Sequence, residues 1–240
     1  YDNVNVDVLN NFDSVRPDIY WAAGKVKVIQ SQKEPFISLD TDAVIYDDIK
    51  KHIDEKDSLV GFHYEMFGNE FYPSRDDIKV VETYDWDEKL NWELLPINVA
   101  VTYFGDDVIR SHYTNECMRF MKENSEYVKN DYSSKSRMLF AEQRLLPMIC
   151  NKLGREYKTI LESIWNPSLN SWMHTRHSKF SKLWGSIFTH LWSEKVLLRN
   201  DETRETNYCK NTITMIRSLD FDGTIYNKIK DIPQLNKFLF

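Results

Sequence analysis

The chain has 240 residues, with 31 basic and 37 acidic residues and a net charge of −6. This length fits one large domain with a sizeable core, and the absence of a basic stripe argues against nucleic acid as a partner. No apolar run approaches the ~20 residues of a transmembrane helix. The three cysteines, Cys117, Cys150 and Cys209, have neither zinc-site nor disulfide-framework spacing. We therefore expect a cytoplasmic protein, free or peripheral at the membrane, with no transmembrane segment.

The first predicted elements are a helix and a strand. Pro17 suits the first turn of a helix that continues through Trp21 to Ile29. The apolar residues 36–39 then predict a buried strand that ends in Asp40-Thr41-Asp42. Side chains alternate along extended chain, so the two carboxylates are expected on one side, where both can bind one divalent cation. Ligands of open α/β sheets bind at the carboxyl ends of strands, so this position favours a nucleotide-sugar site.

The next predicted elements alternate between strands and irregular chain. Residues 45–53 predict a short loop and helix, and residues 58–64 predict a second strand. Residues 65–93 show no clear period and are expected to form a long excursion over the active face. Residues 94–104 form a β-rich apolar run and predict a third strand.

Two helices and a tail complete the predicted order. Asp106 or Asp107 is expected to cap a helix whose apolar face has helical spacing. That face consists of Ile109, Tyr113, Cys117 and Phe120. A further helix is predicted over residues 137–153, with a kink at Pro147 and a stop at Gly154. Residues 202–240 predict a partly helical tail that closes the domain.

Motifs of recognisable order run along the chain. They are Trp21-Ala22-Ala23-Gly24-Lys25, Pro35 to Asp42, Asn98-Val99-Ala100-Val101, Glu142-Gln143, and His190 to Lys195. In order and spacing they resemble metal-dependent glycosyltransferases of the GT-A fold, and look closest to bacterial glycosyltransferase-like proteins related to glycosyltransferase family 8. The resemblance covers roughly residues 15–200.

The resemblance implies a fold and a domain organisation. The expected fold is α/β, with a GT-A (Rossmann-like) mixed central sheet flanked by helices and a partly helical C-terminal tail. Residues 1–240 would form a single GT-A-like domain. Few residues precede Trp21, so part of the N-terminal nucleotide-binding region is expected to be missing from this chain.

The resemblance also implies a metal site. Asp40 and Asp42 match the Asp-x-Asp pair of the family, and His190 matches its third metal ligand. Asp40 is shared between the metal and the donor ribose. Oxygen ligands with one imidazole nitrogen favour Mn²⁺ or Mg²⁺ over structural zinc.

The remaining implied site residues bind the donor or act at the anomeric carbon. Lys25, Asn98 and Lys195 belong to the donor site, where Lys195 contacts phosphate and Lys25 pairs with a carboxylate. Glu142 and Gln143 lie at a helix start beside the anomeric carbon. Glu142 is the candidate general base for the acceptor hydroxyl, or orients the acceptor.

These residues predict an enzyme, a hexosyltransferase of polysaccharide biosynthesis. It would move a sugar from a nucleotide-diphosphate donor, a UDP-sugar, to a glycan or lipid-linked acceptor. A bound Mn²⁺ or Mg²⁺ would offset the negative charge that develops on the diphosphate leaving group.

Two alternatives remain open from the sequence. Asp220-Phe221-Asp222-Gly223-Thr224 reproduces the first motif of haloacid-dehalogenase-like phosphatases, in which Asp220 would be the nucleophile and Asp222 the acid and base. That motif normally opens its domain, and here too little chain follows it, so a turn at Asp222-Gly223 is the simpler interpretation. The other alternative is a non-catalytic carbohydrate-binding relative.

Overall fold

The structure is a computed structural model that describes most of the chain. Described are residues 14–45, 48–65, 71–125, 133–163, 165–166, 171–172, 188–190, 200–219, 223–224 and 227. The helices are α1 (Ala23–Ser31), α2 (Asp107–Glu123), α3 (Ser133–Leu139), α4 (Leu145–Lys152) and α5 (Glu202–Leu219). The strands are β1 (Phe36–Leu39), β2 (Ala43–Ile45), β3 (Leu59–Tyr64), β4 (Val101–Phe104), β5 (Lys158–Ser163), β6 (Trp165–Asn166), β7 (Ser171–Trp172) and β8 (Phe188–His190). The fold is therefore mixed α/β.

Four strands form a mixed sheet with the order β1-β4-β3-β5. Strand β4 pairs antiparallel with both β1 and β3, whereas β3 and β5 are parallel. Every residue of β4 is buried, but β1 is only half-buried and ends in the exposed Leu39. The expectation of a buried first strand is wrong, because β1 lies at the edge of this sheet and pairs on one side with β4.

Helix α2 confirms the apolar face predicted from the sequence. Ile109, Tyr113, Cys117 and Phe120 are all fully buried. The helix begins after Asp106, whose carboxylate accepts hydrogen bonds from the backbone N–H groups of Val108 and Ile109 at 2.7 and 3.4 Å. The Asp106 side chain thus satisfies two of the backbone donors that every helix start leaves open.

Helix α1 begins later than Pro17 predicts. The backbone N–H groups of Ile19 and Tyr20 both bond to the carbonyl of Arg16, at 3.1 and 2.9 Å, which makes this segment a turn. The helix itself runs from Ala23 to Ser31. Pro17 therefore stabilises a turn before the helix and not its first turn.

Much of the segment expected to cover the active face packs into the core instead. Of residues 71–93, Tyr72, Ile78, Tyr84 and Leu90 are buried. The rings of Trp86 and Trp92 each lie 5.3 Å from the ring of Phe140. The segment contains a 3₁₀ turn at Arg75–Asp77, and aromatic burial holds much of the rest in place.

The chain divides into two compact units. The first comprises residues 1–40 and 52–173, and the second comprises residues 41–51 and 174–240. The first unit contains the β1-β4-β3-β5 sheet, and the second contains the antiparallel pair of β2 with β8. Within the described residues, no helix is both long and apolar enough to cross a membrane.

Candidate functional site

The side chain of Lys25 connects elements that are far apart in sequence. Its Nζ lies 2.6 Å from Oδ1 of Asp40 and 3.0 Å from Oε1 of Glu142. It also donates a hydrogen bond to the backbone carbonyl of Val99 at 2.8 Å. Helix α1, the end of β1 and the helical segment around Glu142 therefore meet at one ammonium group. The sequence prediction that Lys25 pairs with a carboxylate is confirmed.

This Lys25 cluster, defined as Lys25, Asp40 and Glu142, is partly buried and carries one excess negative charge. The side chains are 17%, 25% and 9% exposed, respectively. Burial alone would lower the pKa of Lys25, but the nearby charges of Glu142 and Asp40 raise it above its usual value. Lys25 is therefore a permanent cation, and Asp40 is the most exposed member of the cluster.

Glu142 lies in a π-helical segment, Phe140–Arg144, between α3 and α4. In an α-helix the carbonyl of Gln143 would accept a hydrogen bond from residue 147, but Pro147 has no N–H to donate. The Gln143 carbonyl accepts instead from the backbone N–H of Ile97 at 3.1 Å. The predicted disturbance at Pro147 thus takes the form of a π segment one turn earlier, a feature that is frequent at functional sites.

Two more donors from α2 fix the same segment. The Tyr113 hydroxyl donates to the Glu142 carbonyl at 2.7 Å, and the Cys117 thiol donates to the Ala141 carbonyl at 2.7 Å. Three consecutive carbonyls of the π segment are therefore bonded outside their own helix. The expectation that Glu142 and Gln143 lie at a helix start is wrong, because helical chain precedes them from Ser133.

Gln143 and Asn98 are both buried, and both bind protein groups. Gln143 Oε1 accepts a hydrogen bond from the hydroxyl of the buried Tyr72. Asn98 donates from Nδ2 to Oε1 of Glu65 at 2.9 Å and accepts at Oδ1 from the backbone N–H of Ala100 at 3.0 Å. Both side chains organise the interior beside the Lys25 cluster, and their contact with a donor stays a prediction.

Sequence reasoning did not select Glu65. This residue directly follows β3 and is buried, with its carboxyl bound to Asn98. Burial raises the pKa of Glu65 to about 7, although the hydrogen bond from Asn98 acts in the opposite direction. The position of Glu65 in the sequence could have indicated it, because Glu65 follows the carboxyl end of a buried strand. In α/β sheets, ligand-binding groups lie at the carboxyl ends of strands.

The second carboxylate of the Asp-x-Asp motif belongs to the second unit. Strand β1 ends at Leu39 and residues 41–42 form a turn, so the argument from side-chain alternation does not hold for Asp42. Strand β2 begins directly after it, and the backbone of His190 lies opposite Ala43 in the β2–β8 pair. Cα atoms opposed in this way are about 4.5–5.5 Å apart. Two predicted metal ligands are thus close in the backbone.

The fit of these residues to a divalent metal rests on that pairing. Among the described side chains, no group of three or more His, Cys, Asp and Glu residues is arranged to hold a metal ion. His190 is placed by its backbone, as the last residue of β8. Asp42 directly precedes β2 and His190 belongs to β8, and a carboxylate and an imidazole at these positions would suit Mn²⁺ or Mg²⁺. Lys195, Asp220 and Asp222 lie outside the described residues.

Taken together, the sheet and the Lys25 cluster define a mixed α/β protein with a partly buried, anionic polar site. The chain belongs to the family of unknown function DUF6734, whose model matches residues 1–196. Searches of the curated proteins and of the solved structures found no match.

Proposed function

We propose that this protein is a metal-dependent glycosyltransferase with a GT-A-like fold, which transfers a sugar from a nucleotide-diphosphate donor to a glycan or lipid-linked acceptor. The observation that carries the proposal is the ion-paired Lys25, which brings Asp40 and Glu142 within 3.0 Å of one ammonium group. The resemblance implies all three as site residues, and they come from widely separated motifs. A chance set of solvated acids and a surface lysine would not be expected to converge.

The Lys25 cluster supplies polar groups suited to a sugar. Asp40 would accept a hydrogen bond from a hydroxyl of the donor ribose, as the resemblance implies. The carboxylate of Glu142 pairs with Lys25, and the backbone carbonyl of Glu142 accepts a hydrogen bond from the Tyr113 hydroxyl. A carboxylate with so little freedom is suited to orient an acceptor hydroxyl and to accept its proton.

Asp42 and His190 are the residues that would hold the metal. Both lie in the second unit, where Asp42 directly precedes Ala43 and Ala43 pairs with His190 in β2–β8. When bound, Mn²⁺ or Mg²⁺ would supply Lewis-acid stabilisation of the diphosphate leaving group. A UDP-sugar is the proposed donor.

Thermal shift against UDP, GDP and ADP, each with Mn²⁺, with Mg²⁺ or with EDTA, tests donor binding. A nucleotide at about 100 times its Kd stabilises the folded state by about 2.7 kcal/mol. For a protein of this size, that corresponds to a rise of roughly 5–10 °C in Tm. We expect this rise with UDP and metal, and its loss with EDTA.

Matched variants connect binding to chemistry. We expect Asp42→Asn to abolish the metal-dependent shift, and Glu142→Gln to keep the shift but to lower UDP release from UDP-sugars at least tenfold. Asp76→Asn and Glu55→Gln are the controls, because both residues are exposed. Binding of glycan without any nucleotide would support the carbohydrate-binding alternative instead. Phosphatase activity that is lost in Asp220→Asn and kept in Asp42→Asn would support the phosphatase.

A further inference from the structure

Glu65 is a buried carboxylic acid to which the proposed reaction assigns no part. Its backbone N–H donates to the Pro96 carbonyl at 2.8 Å, and its Oε1 accepts from Asn98 at 2.9 Å. Its other carboxyl oxygen, Oε2, is buried and has no hydrogen-bond partner within the part of the chain that the structure describes. A buried acid with one satisfied oxygen costs stability, so its presence calls for another explanation.

Glu65 is linked to the Lys25 cluster through three successive residues. Asn98, which binds Glu65, also accepts from the backbone N–H of Ala100 at 3.0 Å. The intervening Val99 carbonyl accepts from Lys25 Nζ at 2.8 Å. The Ala100 carbonyl accepts from the backbone N–H of Asp40 at 2.8 Å. The segment that Glu65 holds through Asn98 therefore bonds directly to two members of the cluster.

We propose that Glu65 is a positioning residue of this site, which acts through Asn98 to fix the segment 98–100 that holds Lys25 and Asp40. The consequence for catalysis rests on the proposed function. The coupling between Glu65 and Lys25 does not, because it follows from the hydrogen bonds alone.

The surroundings of Glu65 make this positioning sensitive to pH. His63 Nδ1 lies 3.9 Å from Glu65 Oε1 and 3.1 Å from the Tyr64 carbonyl, to which it donates. Tyr72 faces Glu65 from the segment after β3, and its pKa is raised by burial and then by the charges of Glu65 and Glu142. No cation among the described residues within hydrogen-bond distance compensates an ionised Glu65.

Burial brings the pKa of Glu65 to about 7, so the neutral form predominates below that pH. The neutral carboxyl still accepts from Asn98 through its carbonyl oxygen, and it avoids a buried charge. Above pH 7 the ionised group carries a buried charge that the Asn98 donor offsets only in part, so the group must gain solvent or rearrange, and Asn98 and the segment 98–100 move with it. The site is therefore held best below pH 7.

A double-mutant cycle of Glu65→Leu with Lys25→Met, read by thermal unfolding, tests the coupling without any assay of activity. We expect the double variant to lose several °C less in Tm than the sum of the two single variants, because both break the same chain of hydrogen bonds. Losses that add within about 1 °C would overturn the proposal. If Glu65→Leu does not fold, Asn98→Ser replaces it in the cycle, because Asn98 is the middle member of the series of hydrogen bonds from Glu65 to Lys25.

The pH profile of UDP release separates positioning from mere packing. Glu65→Gln keeps an acceptor for Asn98 and does not ionise, so it should retain activity at pH 6. The ratio of wild-type to Glu65→Gln activity should then fall, by up to about tenfold per pH unit above 7. Parallel profiles for the two proteins would overturn the proposal, and Glu55→Gln should follow the wild type. If the wild type is inactive with every donor, the proposed function is refuted. The double-mutant cycle then still tests whether Glu65 positions Lys25.

Discussion

Two cations in the first unit each bridge two carboxylates, but their partners come from different places. Lys25 joins Asp40 and Glu142, which belong to other elements of the fold. Arg119 joins Glu116, with its Nε 3.0 Å from Oε2, and Glu123 at 3.3 Å. Arg119, Glu116 and Glu123 all lie on α2.

The difference shows which of the two clusters needs a functional explanation. Pairs spaced three and four residues apart arise on the surface of any charged helix and add a few tenths of a kcal/mol. The spacing of both Arg119 pairs fits this description, and the side chains of Arg119 and Glu123 are 32% and 44% exposed, while Glu116 is 19% exposed. The more buried Lys25 cluster has to repay desolvation, and apolar residues of similar volume would stabilise as well or better. Its charges are therefore better explained by a ligand than by stability.

Removing each cation gives the largest expected contrast. Lys25→Met leaves two carboxylates without their cation, and we expect a loss of about 3–5 kcal/mol in the free energy of unfolding. Arg119→Met should cost less, about 1 kcal/mol, because Arg119 and Glu123 are 32% and 44% exposed and solvent screens that pair. Urea titration measures both, with the exposed Lys33→Met as the control. Equal losses would remove the distinction between the two clusters.

The pH dependence of stability sharpens the comparison at Glu65. Burial raises its pKa from 4.5 to about 7, so between these pH values the native state holds a proton that the unfolded chain has released. The free energy of unfolding therefore falls as pH rises through this window, by at most about 3 kcal/mol in total. Glu65→Gln removes this dependence.

We therefore expect Glu65→Gln to gain stability relative to the wild type between pH 5 and pH 8. Urea titrations at the two pH values measure the gain, because titrations of all other groups cancel in the difference. The same comparison with Glu55→Gln should show no gain. A pH-independent difference between Glu65→Gln and the wild type would mean that Glu65 is not buried as an acid.

The elements that the sequence predicted correctly are those with strong local signals. The face of α2 follows from helical spacing, its start from the capping side chain of Asp106, and the end of α4 from Gly154, which has a φ of 63°. The exposure of β1 could not be predicted, because it depends on which strands pair on its two sides. An apolar run of this length has the same sequence at an edge and at the centre of a sheet.

The candidate site likewise has a part that the sequence could predict and a part that it could not. Similarity of motifs identified Lys25, Asp40 and Glu142, and the ion pairs follow from their charges. The π segment was signalled at Pro147, but its form depends on donors at Ile97, Tyr113 and Cys117, which other elements supply. Glu65 has no periodic or motif signal, since its burial is decided by tertiary packing.

Two tyrosines give the smallest expected contrast: Tyr72, which bonds to Gln143 beside the Lys25 cluster, and Tyr84, which bonds to Arg119. The hydroxyl of Tyr72 donates to Gln143 Oε1 in the interior, so Tyr72→Phe leaves a buried acceptor without that donor, at a cost of about 1–2 kcal/mol. The hydroxyl of Tyr84 lies 3.4 Å from Glu116 and accepts from Arg119 at 2.8 Å. Arg119 keeps its bonds to Glu116 when that hydroxyl is removed, so Tyr84→Phe should cost less than about 0.5 kcal/mol.

Urea titration again measures both tyrosine variants, and UDP release tells whether the difference concerns the site. Tyr72→Phe frees Gln143 beside Glu142 in the π segment, so we expect it to lower UDP release severalfold at saturating donor. Tyr84 contacts Arg119 of α2. We therefore expect UDP release by Tyr84→Phe to match the wild type. Equal effects of the two variants on UDP release would mean that Gln143 fills space in the interior without orienting a substrate, and the proposed site would then be confined to the Lys25 cluster.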